Sequence, residues 1–201
     1  MRTLLASTLL AAASSAGAQS GAVDLAAPAL NGRSAFVAQI GSGNSTTVRQ
    51  AAPDARAEVT QRGDDNAADM AQDAGSAYVR AAQIGNGNRL GTAQAGAGTS
   101  TLFAEQTGND NALAVVQTSI GALYNGAAAM QNGSGNVMSL TQEGDGNRAV
   151  LAQNGDDNRM TAEQYGAGNQ LTWVQQGSGL SDLRIAQTGA SALQITQTGG
   201  R

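Results

Sequence analysis

The sequence predicts an all-β fold, a β-solenoid of stacked strand-turn-strand rungs of about 22 residues each, with amyloid-like stacking of strands. Three observations indicate this fold. A glutamine recurs about every eleven residues, a turn rich in glycine and asparagine follows many of these glutamines, and apolar side chains alternate with polar ones between the turns. One small unit repeated along most of the chain accounts for all three.

The first 18 residues have the features of a secretory signal peptide. Arg2 supplies a positive charge, residues 4–13 form a short apolar stretch, and residues 16–18 form a small-residue cleavage site. We therefore predict a secreted protein whose mature chain begins at Gln19. The rest of the sequence contains no apolar run long enough to cross a bilayer, so we expect no membrane-spanning segment.

The remaining chain divides into two parts. Residues 19–33 lack the repeat and include Pro28, and we predict that they form a flexible leader. Residues 34–201 carry the repeats. After about residue 176 the turn asparagine is lost and the spacing slips, so we expect the last rungs to be irregular.

The composition argues against several classes of function. The chain contains no histidine and no cysteine, so the usual acid-base, nucleophile and metal constellations cannot be assembled. We predict no enzymatic activity, no cofactor and no metal site. All basic residues are arginine and the net charge is −4, which is unlike the basic surface of a nucleic-acid-binding protein. Disorder would not maintain a fixed period.

The glutamines set the period of the repeat. Their spacing is eleven residues, except for a step of twelve before Gln106 and a longer step before Gln131, and the period persists loosely at Gln187 and Gln197. We predict equivalent inward positions for Gln39, Gln50, Gln61, Gln72, Gln83, Gln94, Gln106, Gln117, Gln131, Gln142, Gln153, Gln164 and Gln175.

The strongest turns share the pattern Gln-x-Gly-x-x-Asn, whose Gly, Asp and Asn residues tolerate positive φ and favour tight turns. The predicted ladder asparagines are Asn44, Asn66, Asn88, Asn111, Asn136, Asn147, Asn158 and Asn169, and the predicted turn glycines are Gly41, Gly63, Gly85, Gly108, Gly133, Gly144, Gly155 and Gly166. In the first half of the chain strong and weak turns alternate, whereas strong turns follow one another after Gln131. Three extra residues within 119–130 are expected to bulge out as a loop.

Alternation between the turns identifies the buried face. Leu113 and Val115 in one unit, and Leu171 and Trp173 in another, occupy every second position. A period of two with one apolar face indicates half-buried strands of about six or seven residues. We therefore interpret Trp173 as a packing residue.

Stacking the rungs would place Gln over Gln and Asn over Asn at about 4.8 Å, so that side-chain amides bond in ladders along the stack. Ladder bonding explains why amides, which are costly when buried singly, recur at fixed inward positions. Residues 34–201 hold roughly seven and a half rungs, and the stack would be about 35 Å long.

This arrangement resembles the curlin repeat of curli amyloid fibre subunits, Ser-x5-Gln-x-Gly-x-Gly-Asn-x-Ala-x3-Gln. The units that open at Gln83 and Gln142 fit it, as do Gln39, Gly41, Gly43, Asn44 and Gln50. Many units lack the serine of the family pattern. The leader also lacks the Gly/Asn-rich segment that the major subunit of the family uses for outer-membrane targeting.

The resemblance implies a structural subunit of extracellular, cell-surface curli-like fibres, pilus-like assemblies that support cell adhesion and biofilm. Its implied partners are other copies of the chain in an open homopolymer, a second curlin-type subunit and outer-membrane secretion machinery. We expect the rung near Ala35 of one molecule to add to the last ordered rung of another by β-strand addition. The alternatives are a fibre nucleator and a monomeric β-solenoid adhesin.

Acidic turns invite a second interpretation. Residues 64–65, Asp145 and residues 156–157 could supply oxygen ligands to Ca²⁺. Their positions vary from turn to turn, however, so we favour a role in limiting premature aggregation. Turn preference alone would also account for them.

Overall fold

The computed structural model describes residues 31–199, and this part of the chain consists of fifteen β-strands with no helix. The predicted all-β fold is confirmed. The predicted signal peptide and residues 19–30 of the predicted leader lie outside the described residues. The strands are β1 (Arg33–Ile40), β2 (Ser45–Gln50), β3 (Asp54–Arg62), β4 (Ala67–Gln72), β5 (Ser76–Ile84), β6 (Arg89–Ala95), β7 (Thr99–Thr107), β8 (Ala112–Thr118), β9 (Asn125–Asn132), β10 (Val137–Glu143), β11 (Arg148–Asn154), β12 (Arg159–Tyr165), β13 (Gln170–Gln176), β14 (Ile185–Thr188) and β15 (Ala192–Thr198).

The strands form two parallel sheets that face each other. The eight odd-numbered strands make one sheet and the seven even-numbered strands make the other, each in chain order. Every strand therefore pairs with the strand two places along the chain, as β1 does with β3 and β2 with β4. This is a β-solenoid with one strand from each sheet per rung, and the predicted rung of about 22 residues is confirmed.

Register is fixed by the repeat itself. Gln39 pairs with Gln61 and Gln61 with Gln83, and the same positions align down the whole eight-stranded sheet. A slip of one residue would turn every inward side chain outward, so the alternating pattern of the sequence holds the strands in this register.

The core is a thin apolar layer between the sheets. Burial alternates along the strands as the sequence predicts, and the largest fully buried side chains include Met70, Leu102, Met138, Leu140 and Trp173. Trp173 lies in the core cluster, as interpreted from its position. Much of the remaining core is alanine, which allows the two sheets to approach closely.

Two arcs connect the sheets. The first arc follows the odd-numbered strands and comprises residues 41–44, 63–66, 85–88, 108–111, 133–136, 155–158 and 177–184. The second arc follows the even-numbered strands and comprises residues 51–53, 73–75, 96–98, 119–124, 144–147, 166–169 and 189–191. The extra residues before Gln131 fall in the second arc, in the loop at 119–124.

The first glycine of each regular turn in the first arc is required for two reasons: its positive φ and the close approach of the turn in the next rung. Gly85 has a φ of +110°, and a Cβ built on it would collide with the carbonyl oxygen of Gly108 in the next rung. Stacked turns at one strand spacing leave no room for a side chain there.

No helix in the described part of the chain is long and apolar enough to cross a membrane.

Candidate assembly site

A continuous glutamine ladder runs along the inside of the eight-stranded sheet. In each step the Nε2 atom donates to the Oε1 atom of the next rung, over 2.6 Å from Gln39 to Gln61 and 2.8 Å from Gln175 to Gln197. The ladder residues are Gln39, Gln61, Gln83, Gln106, Gln131, Gln153, Gln175 and Gln197. All the donors point towards the C-terminal end, so the ladder has a polarity.

The seven-stranded sheet carries a matching ladder with the same polarity. Its steps measure 2.9 Å from Gln50 to Gln72 and 2.8 Å from Gln164 to Gln187. The members are Gln50, Gln72, Gln94, Gln117, Gln142, Gln164 and Gln187. Gln187 and Gln197, whose spacing looked loose in the sequence, therefore extend the two ladders by one rung each.

In the interior rungs, the second amide proton of each ladder glutamine bonds across the core. The Nε2 atom of Gln83 donates to the carbonyl oxygen of Ala67 over 3.1 Å, and that of Gln94 donates to Tyr78 over 3.1 Å. The side chain thus connects two rungs and the two sheets at once. Because both protons and the oxygen are bonded, a fully buried carboxamide is stabilising here instead of costly.

Asparagines line the first arc in a second kind of ladder. In Asn66, the backbone N–H and Nδ2 donate to the Oδ1 atom of Asn44 over 3.0 and 3.1 Å, and Nδ2 also donates to the carbonyl oxygen of Gly85 over 2.7 Å. Each asparagine after Asn44 therefore ties together three successive turns. The ladder contains Asn44, Asn66, Asn88, Asn111, Asn136 and Asn158.

The second arc has an asparagine ladder only in the C-terminal half. Asn147 donates its backbone N–H to the Oδ1 atom of Asn125 over 3.0 Å, Asn169 donates to Asn147, and the Ser191 hydroxyl donates to Asn169 over 3.1 Å. Asn125 was missed by the sequence analysis because the loop hides its distance from Gln117. Its position six residues before Gln131, the spacing of every other Asn-Gln pair, was the available signal.

A further column of oxygen atoms in the first arc also escaped the sequence analysis. The side-chain oxygen after each turn glycine accepts the backbone N–H of the preceding rung, as Asp64 does from Ser42 over 2.7 Å and Asp156 from Ser134 over 2.7 Å. In the second arc, Asp145 accepts the backbone N–H of Gly121 over 2.7 Å. These contacts give several turn aspartates a structural role. No group of three or more acidic side chains suited to a metal ion occurs within residues 31–199.

Two tyrosines that point away from the core have raised pKa values, and Tyr78 among them is covered by neighbours such as Phe103 and is only 5% exposed. Burial raises the pKa of Tyr78, and the charge of Glu58 adds to the effect. The charge of Glu163 raises the pKa of Tyr165, whose hydroxyl donates to that carboxylate over 3.2 Å. Both phenols are therefore neutral in the ordinary pH range.

The two ends of the solenoid leave these ladders incomplete. Among residues 31–199, the Oε1 atoms of Gln39 and Gln50 accept no hydrogen bond, and Gln197 donates only to the carbonyl oxygen of Ser181. The inward residues Val48 and Ile195 are only partly covered by the core. No helix covers either end in the part that the structure describes. Each end therefore presents a sheet edge, unpaired amide atoms and an apolar strip.

Residues 138–166, which span most of β10 and all of β11 and β12, match the family model for the curlin associated repeat. The chain contains a curlin repeat. The resemblance predicted from the glutamine and glycine spacing is therefore confirmed, and it lies where strong turns follow one another without interruption. The repeat and the β-solenoid fit a curli-like structural protein. No curated protein and no solved structure matches the chain.

Proposed function

We propose that the protein is a structural subunit of extracellular curli-like amyloid fibres, and that it assembles head to tail by adding the open rung of one copy to the open rung of the next. The observation that carries the proposal is the state of the two ends. Within residues 31–199, ladder atoms that are bonded throughout the interior have no partner at Gln39 and Gln50, and the C-terminal rung is open as well.

Docking of a second copy would complete the same interactions that hold the interior together. Backbone groups of an edge strand would pair, amide ladders would continue, and the partly covered core residues would leave water. Because the contact joins two different surfaces of the molecule, each addition leaves a new open end. Such heterologous contacts produce open filaments.

The proposal places the mature protein outside the cell, in surface fibres that support adhesion and biofilm, after export through outer-membrane secretion machinery. The fold and composition support a structural role, and we propose no catalytic activity. A second curlin-type subunit would be the natural partner for starting fibres.

The test follows the purified mature chain, residues 19–201, with an amyloid dye and electron microscopy. We expect dye-positive fibres that grow faster when preformed fibres are added. Protein that stays monomeric at tens of micromolar over days would contradict the proposal and favour the monomeric adhesin. Acceleration of another curlin-type subunit at trace amounts, without fibres of its own, would favour the nucleator.

A further inference from the structure

The described solenoid has an odd number of strands, eight in one sheet and seven in the other. From this we infer that successive copies in the fibre are related by a half-turn about the fibre axis. In this arrangement β1 of one copy pairs with β14 of the preceding copy, and β2 pairs with β15. The inference rests on the proposed head-to-tail assembly and specifies its geometry.

Stacking without rotation would leave a gap. Strand β1 would then pair with β15 in the eight-stranded sheet, and β2 would lie below β14 with one strand missing between them. Their separation would be about 9.6 Å, which is twice the strand spacing. Backbone groups of β14 and β2 would stay unpaired beside the core, and a buried unpaired sheet edge is unfavourable.

A half-turn removes the gap because the chain is a regular coil. Rotation about the solenoid axis by half a turn, with a shift of half a rung, brings each sheet to the place of the other. Strand direction and the inward faces are preserved. Strand β1 of the next copy then takes the place of a sixteenth strand in the coil. Each side of the fibre receives eight strands from one copy and seven from the next, so two copies contribute fifteen strands to each side.

The turn types at the two ends match only in the rotated arrangement. At the N-terminal end, the first arc has the glycine-asparagine turn 41–44 and the second arc has the plain turn 51–53. At the C-terminal end the order is reversed. The second arc has glycine-asparagine turns at 144–147 and 166–169, whereas the first arc has lost its asparagine, with Leu180 in that place.

Rotation therefore brings like turns together. Gly41 and Asn44 would lie over Gly189 and Ser191, which are their counterparts in the second arc, although that last turn is one residue shorter. The Ser191 hydroxyl already occupies the ladder position, because it donates to Asn169 over 3.1 Å. Without rotation, the turn 41–44 would instead lie over Gly199, which follows β15, with the irregular segment 177–184 in the rung below.

Side-chain register also continues through the rotated junction. Aligning Gln39 with Gln187 and Gln50 with Gln197 places Val37 beside Ile185 and Val48 beside Ile195. Val48, Ile185 and Ile195 are the apolar residues that pack against the core while only partly buried. The Nε2 proton of Gln197 and the Oε1 atom of Gln50, neither of which is bonded within the described residues, would meet and keep the polarity of the ladder.

Cysteine cross-linking can distinguish the two arrangements, because the natural chain has no cysteine. In the half-turn arrangement Ala38 lies beside Ala186 of the preceding copy, and without rotation it lies beside Thr196. Directly paired residues of neighbouring strands are about 4.8 Å apart, within the range a disulfide spans. All three side chains lie on outer faces, so exchange to cysteine leaves the core unchanged. Ala38→Cys with Thr60→Cys is the matched control, since these residues pair within one molecule.

Fibres of each double variant would be grown under reducing conditions, oxidised, dissolved in denaturant and separated on a non-reducing gel. We expect the Ala38→Cys/Ala186→Cys protein to shift mostly from monomer to a ladder of covalent multimers. The Ala38→Cys/Thr196→Cys protein and the intramolecular control should stay monomeric. Multimers from the Thr196 pair, or from neither pair, would overturn the half-turn while leaving fibre assembly intact.

Electron cryomicroscopy of fibres of the unsubstituted protein measures the rotation and rise between subunits without any effect of the cysteine substitutions. We expect each subunit to be rotated by about half a turn, apart from sheet twist, over a rise of about 35 Å. Subunits stacked without that rotation would overturn the inference. Absence of fibres from the unsubstituted protein would instead overturn the proposed function, and the inference with it.

Discussion

The first rung and the second rung of the solenoid have the same sequence pattern but different environments. Val37 in β1 and Val59 in β3 occupy the same register position, yet the former is 43% exposed and the latter is fully buried. Gln39 and Gln61 differ in the same way, because only Gln61 bonds to a glutamine on each side.

The difference shows that burial in this fold comes from the neighbouring rung. Inside the stack, a glutamine or valine at these positions is bonded or buried and stabilises the fold. In a terminal rung, the same residue leaves a hydrogen-bond donor or acceptor unpaired, or leaves apolar surface exposed. Interior substitutions should therefore change the stability of the monomer, whereas terminal substitutions should change assembly. Substitutions at an interior position, at a terminal position and at a nearby control position distinguish these two effects.

The largest effect is expected from a charge on the terminal inward face. Val37→Asp adds a carboxylate that is solvated in the monomer but buried on docking, so fibre growth should be abolished. Phe36→Asp is the control, because that side chain is on the outer face of the same strand and is 62% exposed. Dye kinetics and microscopy provide the measurement. Equal growth of the two variants would contradict docking through β1.

Removing one ladder amide should separate stability from assembly. Gln83→Ala leaves a cavity and unpaired partners in Gln61 and Gln106, so the free energy of unfolding should fall by about 3 kcal/mol. Gln39→Ala should change it by less than about 1 kcal/mol, yet slow fibre growth. Unfolding would be measured in the assembly-blocked Val37→Asp background. Equal losses of stability at the two positions would argue against the ladder account.

Glycine substitutions test the close stacking of turns. Gly85→Ala should lower the free energy of unfolding by about 2 kcal/mol, because the new Cβ meets the carbonyl of Gly108 at a positive φ. Gly91→Ala in β6 is the control, because a Cβ added there would contact no other atom and the φ of Gly91 is not positive. Urea unfolding of the two variants checks the difference. A harmless Gly85→Ala would contradict stacking at one strand spacing.

The smallest effect is expected from deleting residues 120–122. This change gives the step from Gln117 to Asn125 the five-residue length seen between Gln142 and Asn147. The loop closes at little entropic cost, so stability should change by less than about 1 kcal/mol, even though two hydrogen bonds to Asp145 are lost. Thermal unfolding is the measurement. A large loss of stability would show that the loop at 119–124 helps to hold the second arc together, contrary to this expectation.

Sequence reasoning reached the fold because this fold depends on local periodicity. A period of two within strands and a period of eleven between glutamines determine which side chains share a sheet and which lie in register, without any long-range information. The pairing of Gln39 with Gln61, and of Gln50 with Gln72, follows directly from that spacing. A conventional globular core would not reveal its contacts in this way.

The ladder residues that sequence reasoning missed are positioned by contacts with the adjacent rungs, and their spacing in the sequence does not reveal them. Asn125 belongs to the ladder of the second arc although an inserted loop separates it from Gln117. The column of turn oxygens uses Asp, Asn and Ser interchangeably, so no single letter recurs to indicate it, as Asp64, Asn86 and Ser134 illustrate. Gln187 and Gln197 remain in the ladders although the turns before them are irregular, because inward glutamines are held by the sheet and not by the turn.

The most direct test of the account is a reconstruction of the fibre of the mature protein that resolves individual strands. We expect parallel strands at about 4.8 Å spacing to continue through each subunit boundary, with glutamine side chains in contact across it. That result would show that the open rungs are the assembly surfaces. A boundary without strand pairing, or with lateral contacts between the outer faces of the sheets, would contradict the account.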